Sequence, residues 1–394
     1  MKNTSYCSAL LVASLFPLLI FVPYARGAEK SAAKGEFFVY VGTYTKKTTS
    51  KGIYVYRFNA KTGQLTPLGV AAETVDPSFV AVDPSGRYLY SVNEVNQLNG
   101  QKGGAVSSFA IDQRTGKLKF LNEVSSRGAG PCYVAVDKTG QNVMVANYGG
   151  GNVAVIRVRK DGSLGEVSAF EQHTGSSVDP DRQKRPYAHS INVSPDNRFV
   201  LSCDLGTDQV LAYHFDARKG TLTPDDPPYA KVNPGSGPRH FAFSPNSKFV
   251  YVISEMGSTV TVFSYNAESG AMHKLQTIST LPSDFKGKES DCAEIAVLPS
   301  GKFVYGSNRG HDSIVVFAVA PGKGTLTPVA WTPTQGKTPR NFAIDPTGSY
   351  LFAANQDTNN ITIFKINART GRLTPTGQNI EIPAPVCVQF CPIK

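Results

Sequence analysis

Apolar and polar residues alternate with period two in six stretches of this chain, most of them opening on Pro and each broken once by a short polar turn. They read PSFVAVDPSGRYLYSVN (77–93), PCYVAVDKTGQNVMVAN (131–147), PYAHSINVSPDNRFVLSCD (186–204), PRHFAFSPNSKFVYVISE (238–255), DCAEIAVLPSGKFVYGSN (291–308) and PRNFAIDPTGSYLFAAN (339–355). Alternation rich in Val, Ile, Phe and Tyr predicts strands. The central DPSG, SPDN and DPTG place Pro second, where its fixed φ suits a type I turn. Each stretch is therefore a hairpin. A second marker runs out of phase: TGQLTP (62–67), TGKLKF (115–120), DGSLGE (161–166), KGTLTP (219–224), SGAMHKL (269–275), KGTLTP (323–328) and TGRLTP (370–375), at intervals of 46 to 58 residues.

A repeat of this length made of short strands predicts the four-stranded blades of a β-propeller. A seventh hairpin is split. PVCVQFCP (385–392) is a first strand without a second, and FFVYVGTY (37–44) is a second strand without a first. Joining them completes a blade from both termini and removes the free sheet edge. The predicted fold class is all-β: a seven-bladed β-propeller over residues 37–394, closed by N- and C-terminal strands sharing one blade.

The first 27 residues break the pattern. Lys2 precedes an apolar run from Ala9 to Val22, and Ala25-Arg26-Gly27 follows with small residues. This reads as a secretory signal peptide cleaved near Gly27 or Ala28, with 28–36 a flexible lead-in. The run is short for a bilayer span, so no stable membrane insertion of the mature chain is expected and the protein is expected to be exported. Losing Lys2 and Arg26 lowers the formal charge of +10 by two. The remaining Lys and Arg are scattered over turns without basic runs, which argues against nucleic acid as a partner. Cys7 would leave with the leader. The five remaining cysteines form no regular framework, and the disulfide state of Cys387 and Cys391, which flank the closing strand, is left open. A monomer is expected.

Topology says where chemistry must sit. In a blade the first strand lines the channel, and its start lies on the same face as the end of the second strand. Starts of first strands carry Ser78, Cys132, His189, Arg239 with His240, Glu294 and Arg340. Ends of second strands carry Thr43, Asn93, Asn147, Asp204, Glu255, Asn308 with Arg309, and Asn355. Asn and Asp at such positions also serve as turn caps. Turn geometry gives no reason for Arg and His to converge from four blades, so these are the candidate site.

The motifs SNRGHDSI (307–314), GPRHFAFSP (237–245), PYAHS (186–190) and the TGxLTP turns resemble those of the seven-bladed lactonase family. That family includes 6-phosphogluconolactonases and fungal carboxy-muconate cyclases, and the similarity spans residues 37–392. By motif the resemblance implies catalytic roles for His189, Glu255, Arg239 and Arg309, all four within the set that topology brings together. His240, Arg340, Asn93, Asn147 and Asn355 are then expected as substrate contacts. The implied reaction is hydrolysis of a small lactone, its anionic character matching the arginines. It needs a base to activate water, for which His189 or Glu255 is the candidate, and donors for the oxyanion, Arg239 and Arg309.

No G-x-S-x-G elbow and no HExxH or CxxC spacing is present. Calcium favours several carboxylates, which the arginines here would oppose, so no metal is expected. A quinone propeller would want Trp-rich repeats, and Trp331 is the single Trp; no cofactor is expected. Two other readings stay open: a muconate-type lactonising isomerase, and a noncatalytic propeller binding a ligand or partner on one face.

Overall fold

The alternating stretches form the strands expected of them. A computed structural model describes residues 1–4, 35–98, 100–287 and 289–394. The expected leader therefore falls, past its first four residues, outside the described part, as does most of the lead-in. The chain divides into two units, Met1–Ala32 and Ala33–Lys394, and the propeller is the second. Among the described residues no helix is long and apolar enough to cross a membrane.

Seven four-stranded antiparallel sheets make the blades, with one further two-stranded ribbon at Gln97–Leu98 and Gln101–Lys102. Blade 1 is the composite one. Its strands run Pro385–Pro392, Glu36–Thr43, Gly52–Asn59 and Gln64–Glu73, from inside outward. The closing strand pairs in register from Phe37 with Pro392 to Gly42 with Cys387. Blades 2 to 7 follow in chain order, with first strands Val80–Val82, Pro131–Val136, Ala188–Val193, Pro238–Phe243, Asp291–Val297 and Pro339–Ile344.

Burial grades across each blade as the alternation demands. Second strands such as Asn142–Asn147 and Phe249–Ser254 are buried along their whole length, because neighbouring blades cover both faces. Outermost strands such as Thr221–Lys231 are mostly exposed.

The glycine turns have a reason visible in the packing. Gly116 and Gly371 hold φ of +73° and +72°, and a Cβ there would lie 2.8 Å from Phe38 and 2.5 Å from Phe303, both in the preceding blade. Their carbonyls accept hydrogen bonds from Tyr40 and Tyr305 of the same preceding blades, at 3.0 and 2.9 Å. The repeat in sequence is thus the seam between blades. Cys387 and Cys391 do not pair. All five described cysteines are free and buried, these two within the same apolar cluster as Tyr40 and Tyr90.

Candidate functional site

Four of the channel-lining strands begin with a one-residue irregularity that redirects a side chain. The pairing slips between Pro131 and Tyr133, Ala188 and Ser190, Pro238 and His240, and Pro339 and Asn341. The residues left between are Cys132, His189, Arg239 and Arg340. A bulge of this kind bends the strand and redirects the extra side chain. The second contribution comes from the end of the second strands. Glu255 directly follows Phe249–Ser254, Arg309 closes Phe303–Arg309, Glu94 follows Tyr88–Asn93, and Tyr44 follows Glu36–Thr43.

Glu255 is the centre of the cluster. Its Oε2 accepts from Arg239 Nε and Arg309 Nη2, each at 3.0 Å, and its Oε1 from Arg182 Nη2 at 2.5 Å. His189 Nε2 lies 3.8 Å from Oε2. Glu255 is 6% exposed and Arg239 2%. Burial alone would raise the Glu255 pKa, but Arg309 and Arg239 outweigh it and hold the carboxyl far below the usual carboxylate range. Burial, with Arg340 and Arg309 nearby, lowers Arg239 to about 10, so it remains a cation at neutral pH. Burial and the charge of Arg239 push His189 well below 6.5, which keeps its imidazole neutral.

Two guanidiniums keep donors for an incoming anion. Arg309 Nε is buried without a protein acceptor, while Arg309 Nη2 also binds the Cys292 carbonyl at 2.8 Å. Arg340 lies over the Tyr44 ring, 5.6 Å from its centroid, and forms no ion pair among the described residues.

Three of the residues expected as substrate contacts have their amides engaged within the scaffold. The amides of Asn93, Asn147 and Asn355 donate to the carbonyls of Val75, Ser126 and Thr334, at 2.8, 2.9 and 3.2 Å, in the joint with the preceding blade. The reason is strand alternation: they stand one residue before Glu94, Tyr148 and Gln356, so their side chains take the opposite face. Asn308 does the same, donating to Thr280 O at 3.0 Å. His240 is buried beside the mouth and lines a small cavity there together with Arg239 and Arg340. Its ring lies beneath Arg239, whose Nη1 donates to Nε2 at 3.2 Å, while Nδ1 donates to Glu294 Oε1 at 3.1 Å. Both ring nitrogens are used, and burial first of all lowers the pKa to about 4.

Three contributors escape the motif reading. Arg182 comes from the segment 173–187, which accounts for the longest interval in the glycine series, Gly162 to Gly220. That segment is pinned beside the mouth by Gln183 Nε2 donating to Leu205 O at 2.8 Å. The interval was its signal. Glu94 and Tyr44 occupy in blades 2 and 1 the place of Glu255 in blade 5, and a one-residue shift of the strand-end register finds both. Tyr44 donates to Glu94 Oε2 at 3.0 Å, and Ser78 donates to the same oxygen. Among the described residues no three His, Cys, Asp or Glu side chains gather as a metal site.

Known proteins resemble this chain in sequence and fold. The family described as "Lactonase, 7-bladed beta-propeller" matches residues 38–390. The chain is 38% identical to the 6-phosphogluconolactonase of Bacillus subtilis over 351 residues, which is 89% of this chain and 97% of that one. It is 35% identical to the 6-phosphogluconolactonase of Formosa agariphila, over 78% of this chain and 86% of the other. The structure of a periplasmic gluconolactonase from Pseudomonas aeruginosa superposes with a TM-score of 0.85 at 34% identity, covering 91% of this chain and all of that one. With blades, closure and match all spanning the same residues, the chain belongs to the seven-bladed β-propeller lactonase family.

Proposed function

We propose that the protein is an exported lactonase that opens a sugar-type lactone at the channel mouth without a metal ion. The observation that carries this is the arginine cluster around Glu255, with the Arg309 Nε donor and the Arg340 guanidinium left for a ligand. Hydrolysis of a lactone creates negative charge on the carbonyl oxygen, and fixed guanidinium donors in a water-poor pocket are suited to hold it. They also suit a carboxylate or phosphate elsewhere on the substrate, which Arg grips in bidentate fashion.

Glu255 serves in this reading as the counterion that orders three guanidiniums, not as a base: a carboxylate held so far below its usual range has little affinity for a proton. His189, uncharged and 3.8 Å from that carboxylate, is a hydrogen-bond partner for a substrate oxygen and a route for protons leaving the site. Metal independence is supported by the same cations, since three guanidiniums already satisfy the carboxylate that a divalent ion would need.

The relatives favour a gluconolactone-type ring, phosphorylated in the named bacterial enzymes and without that qualifier in the periplasmic one. The leader-like residues 1–27 and the periplasmic neighbour favour export, and with it an unphosphorylated sugar lactone. The test is a pH-stat assay of the mature protein against δ-gluconolactone, its 6-phosphate and muconolactone, with and without EDTA. Acid release from a gluconolactone that survives EDTA is expected. Turnover of none of the three, or activity abolished by EDTA and restored by calcium, would overturn the proposal.

A further inference from the structure

The site described so far supplies cations for an anion and a neutral imidazole, yet no strong base for water. Glu255 is saturated, and His189 is a weak base for the reason that keeps it neutral. A second carboxylate faces the same mouth from blade 2. Glu94 stands at the strand-end position that Glu255 occupies in blade 5, so both carboxyls are directed to one channel opening. Its Oε2 is fixed by Tyr44 and Ser78, while Oε1 takes no hydrogen bond from a described residue. Tyr44 in turn lies under the Arg340 guanidinium.

Between these groups lies a small cavity lined by Ser78, Glu94, Cys132, Arg239, His240 and Arg340, with Phe79 and Val386 as its apolar wall. Its volume, about 10 Å³, is that of one water, and it offers the polar partners a water needs. Cys132, Arg239 and Arg340 are bulge residues of three different first strands. The cavity is thus built from the same irregularities as the arginine cluster, and Arg239 belongs to both.

Resting on the lactonase reading above, we infer that Glu94 is a catalytic residue, the general base that activates the hydrolytic water, held for that task by Tyr44 and Ser78. The water oxygen forms the bond to the lactone carbonyl carbon as its proton passes to Glu94 Oε1. The carbonyl electrons move onto oxygen, where arginine donors hold the charge. On collapse the ring C–O bond breaks, and the departing alkoxide takes the proton from Glu94. A free hydroxy acid leaves and Glu94 returns as carboxylate, so no other reactant is needed.

The electrostatics agree with this division of labour between two carboxyls. Burial raises Glu94 above the ordinary Glu value, and Arg340, Ser78, Tyr44 and Arg239 pull it only part of the way back. Glu255 is displaced in the opposite direction. A pair of carboxyls pushed apart by their surroundings marks which one can exchange a proton. The groups facing Glu94 are Tyr44 from blade 1, Ser78 from its own blade, Cys132 from blade 3, Arg239 and His240 from blade 5 and Arg340 from blade 7. Since the base acts ionised, rate rises with pH, and the acid limb lies above the ordinary Glu pKa of about 4.3.

The test is the pH–kcat profile of wild type, Glu94→Gln and Glu94→Asp on whichever lactone the wild type turns over. Glu94→Gln should lose roughly 10²- to 10⁴-fold in kcat, the span of general base catalysis, with KM within a few fold and the acid limb gone. Glu94→Asp keeps a carboxylate set back by one methylene, so kcat should fall at least about tenfold while an acid limb, displaced in pH, persists. Glu94→Gln within threefold of wild type in kcat, or with an unchanged acid limb, would overturn the assignment. Should Glu94→Gln not fold, an unchanged kcat and limb in Glu94→Asp does the same. An active wild type with either result removes Glu94 alone, whereas a wild type inert on every lactone removes the lactonase reading itself.

Discussion

Replacing Glu255 by Gln keeps the shape of the side chain and removes the one charge that three guanidiniums share. The consequence for stability follows from burial. Arg239 is 2% exposed and its Nε donates to Glu255 at 3.0 Å, so Glu255→Gln leaves a cation in the interior without its counterion. Breaking a buried pair from one side costs about 3–5 kcal/mol. The Arg182 pair adds little, because its side chain is 40% exposed and exposed pairs contribute about 0–1 kcal/mol. With an unfolding entropy of roughly 2.1 cal/mol/K per residue, such a loss in a propeller of this length lowers Tm by roughly 4–7 °C. Differential scanning calorimetry from pH 3 to 8 gives the measurement. The folded-state pKa of Glu255 lies below the unfolded value of about 4.3. Its stabilisation is therefore complete above that value and is lost only as pH falls toward the folded one. The Tm gap between wild type and variant should be flat from pH 6 to 8 and narrow below about pH 4. An equal or higher Tm for Glu255→Gln at pH 7 would refute the view that Glu255 orders the arginines.

Arg309→Ala should lose about tenfold or more in kcat/KM in steady-state assays of lactone opening, since it removes donors aimed at a developing anion; an unchanged value would take Arg309 out of the chemistry. Deleting 385–394 removes buried Val386 and Val388, worth roughly 1.5–3 kcal/mol each, and exposes the edge of Glu36–Thr43, so thermal melts should show a large loss of stability or no cooperative transition. Asn147→Ala should cost about 1–3 kcal/mol in urea titrations by stranding the Ser126 carbonyl, with KM untouched; a raised KM at full stability would return Asn147 to the substrate. N-terminal sequencing of secreted or envelope protein should begin near Ala28 or Glu29, and cytosolic protein retaining Met1 would contradict export.

The ring itself was legible because its causes are local. Period-two alternation gives strands, and a turn that needs positive φ beneath an aromatic ring admits little but Gly, as at Gly116 and Gly371. Closure was legible from the two orphan half-hairpins at 37–44 and 385–392. Arg182 was harder: nothing in its surroundings resembles a motif, and its approach to Glu255 depends on how segment 173–187 is pinned by Gln183. The motif GPRH does not say that a bulge at Arg239 turns its guanidinium to Glu255 while His240 pairs with Glu294, and a bulge is not written in hydropathy.

The asparagines show the physical limit most clearly. Asn93 and Glu94 are neighbours, as are Asn147 and Tyr148, and Asn355 and Gln356. A strand sends each pair to opposite faces, so an error of one residue exchanges the blade joint for the channel mouth. The blade joint is the more uniform environment of the two. It asks the same thing of four of the seven blades, an amide to meet a carbonyl just past the preceding outer strand, and Asn recurs there at 93, 147, 308 and 355. The mouth asks something different of each blade, and its residues are correspondingly unlike: Tyr44, Glu94, Tyr148, Leu205, Glu255, Arg309 and Gln356. Within a repeat protein, sameness across repeats therefore marks the scaffold, and chemistry is to be sought at the adjacent position where the repeats disagree. Glu94 and Glu255 share that position in blades 2 and 5 while their surroundings drive their proton affinities apart, and it is this split that separates the proposed base from the counterion.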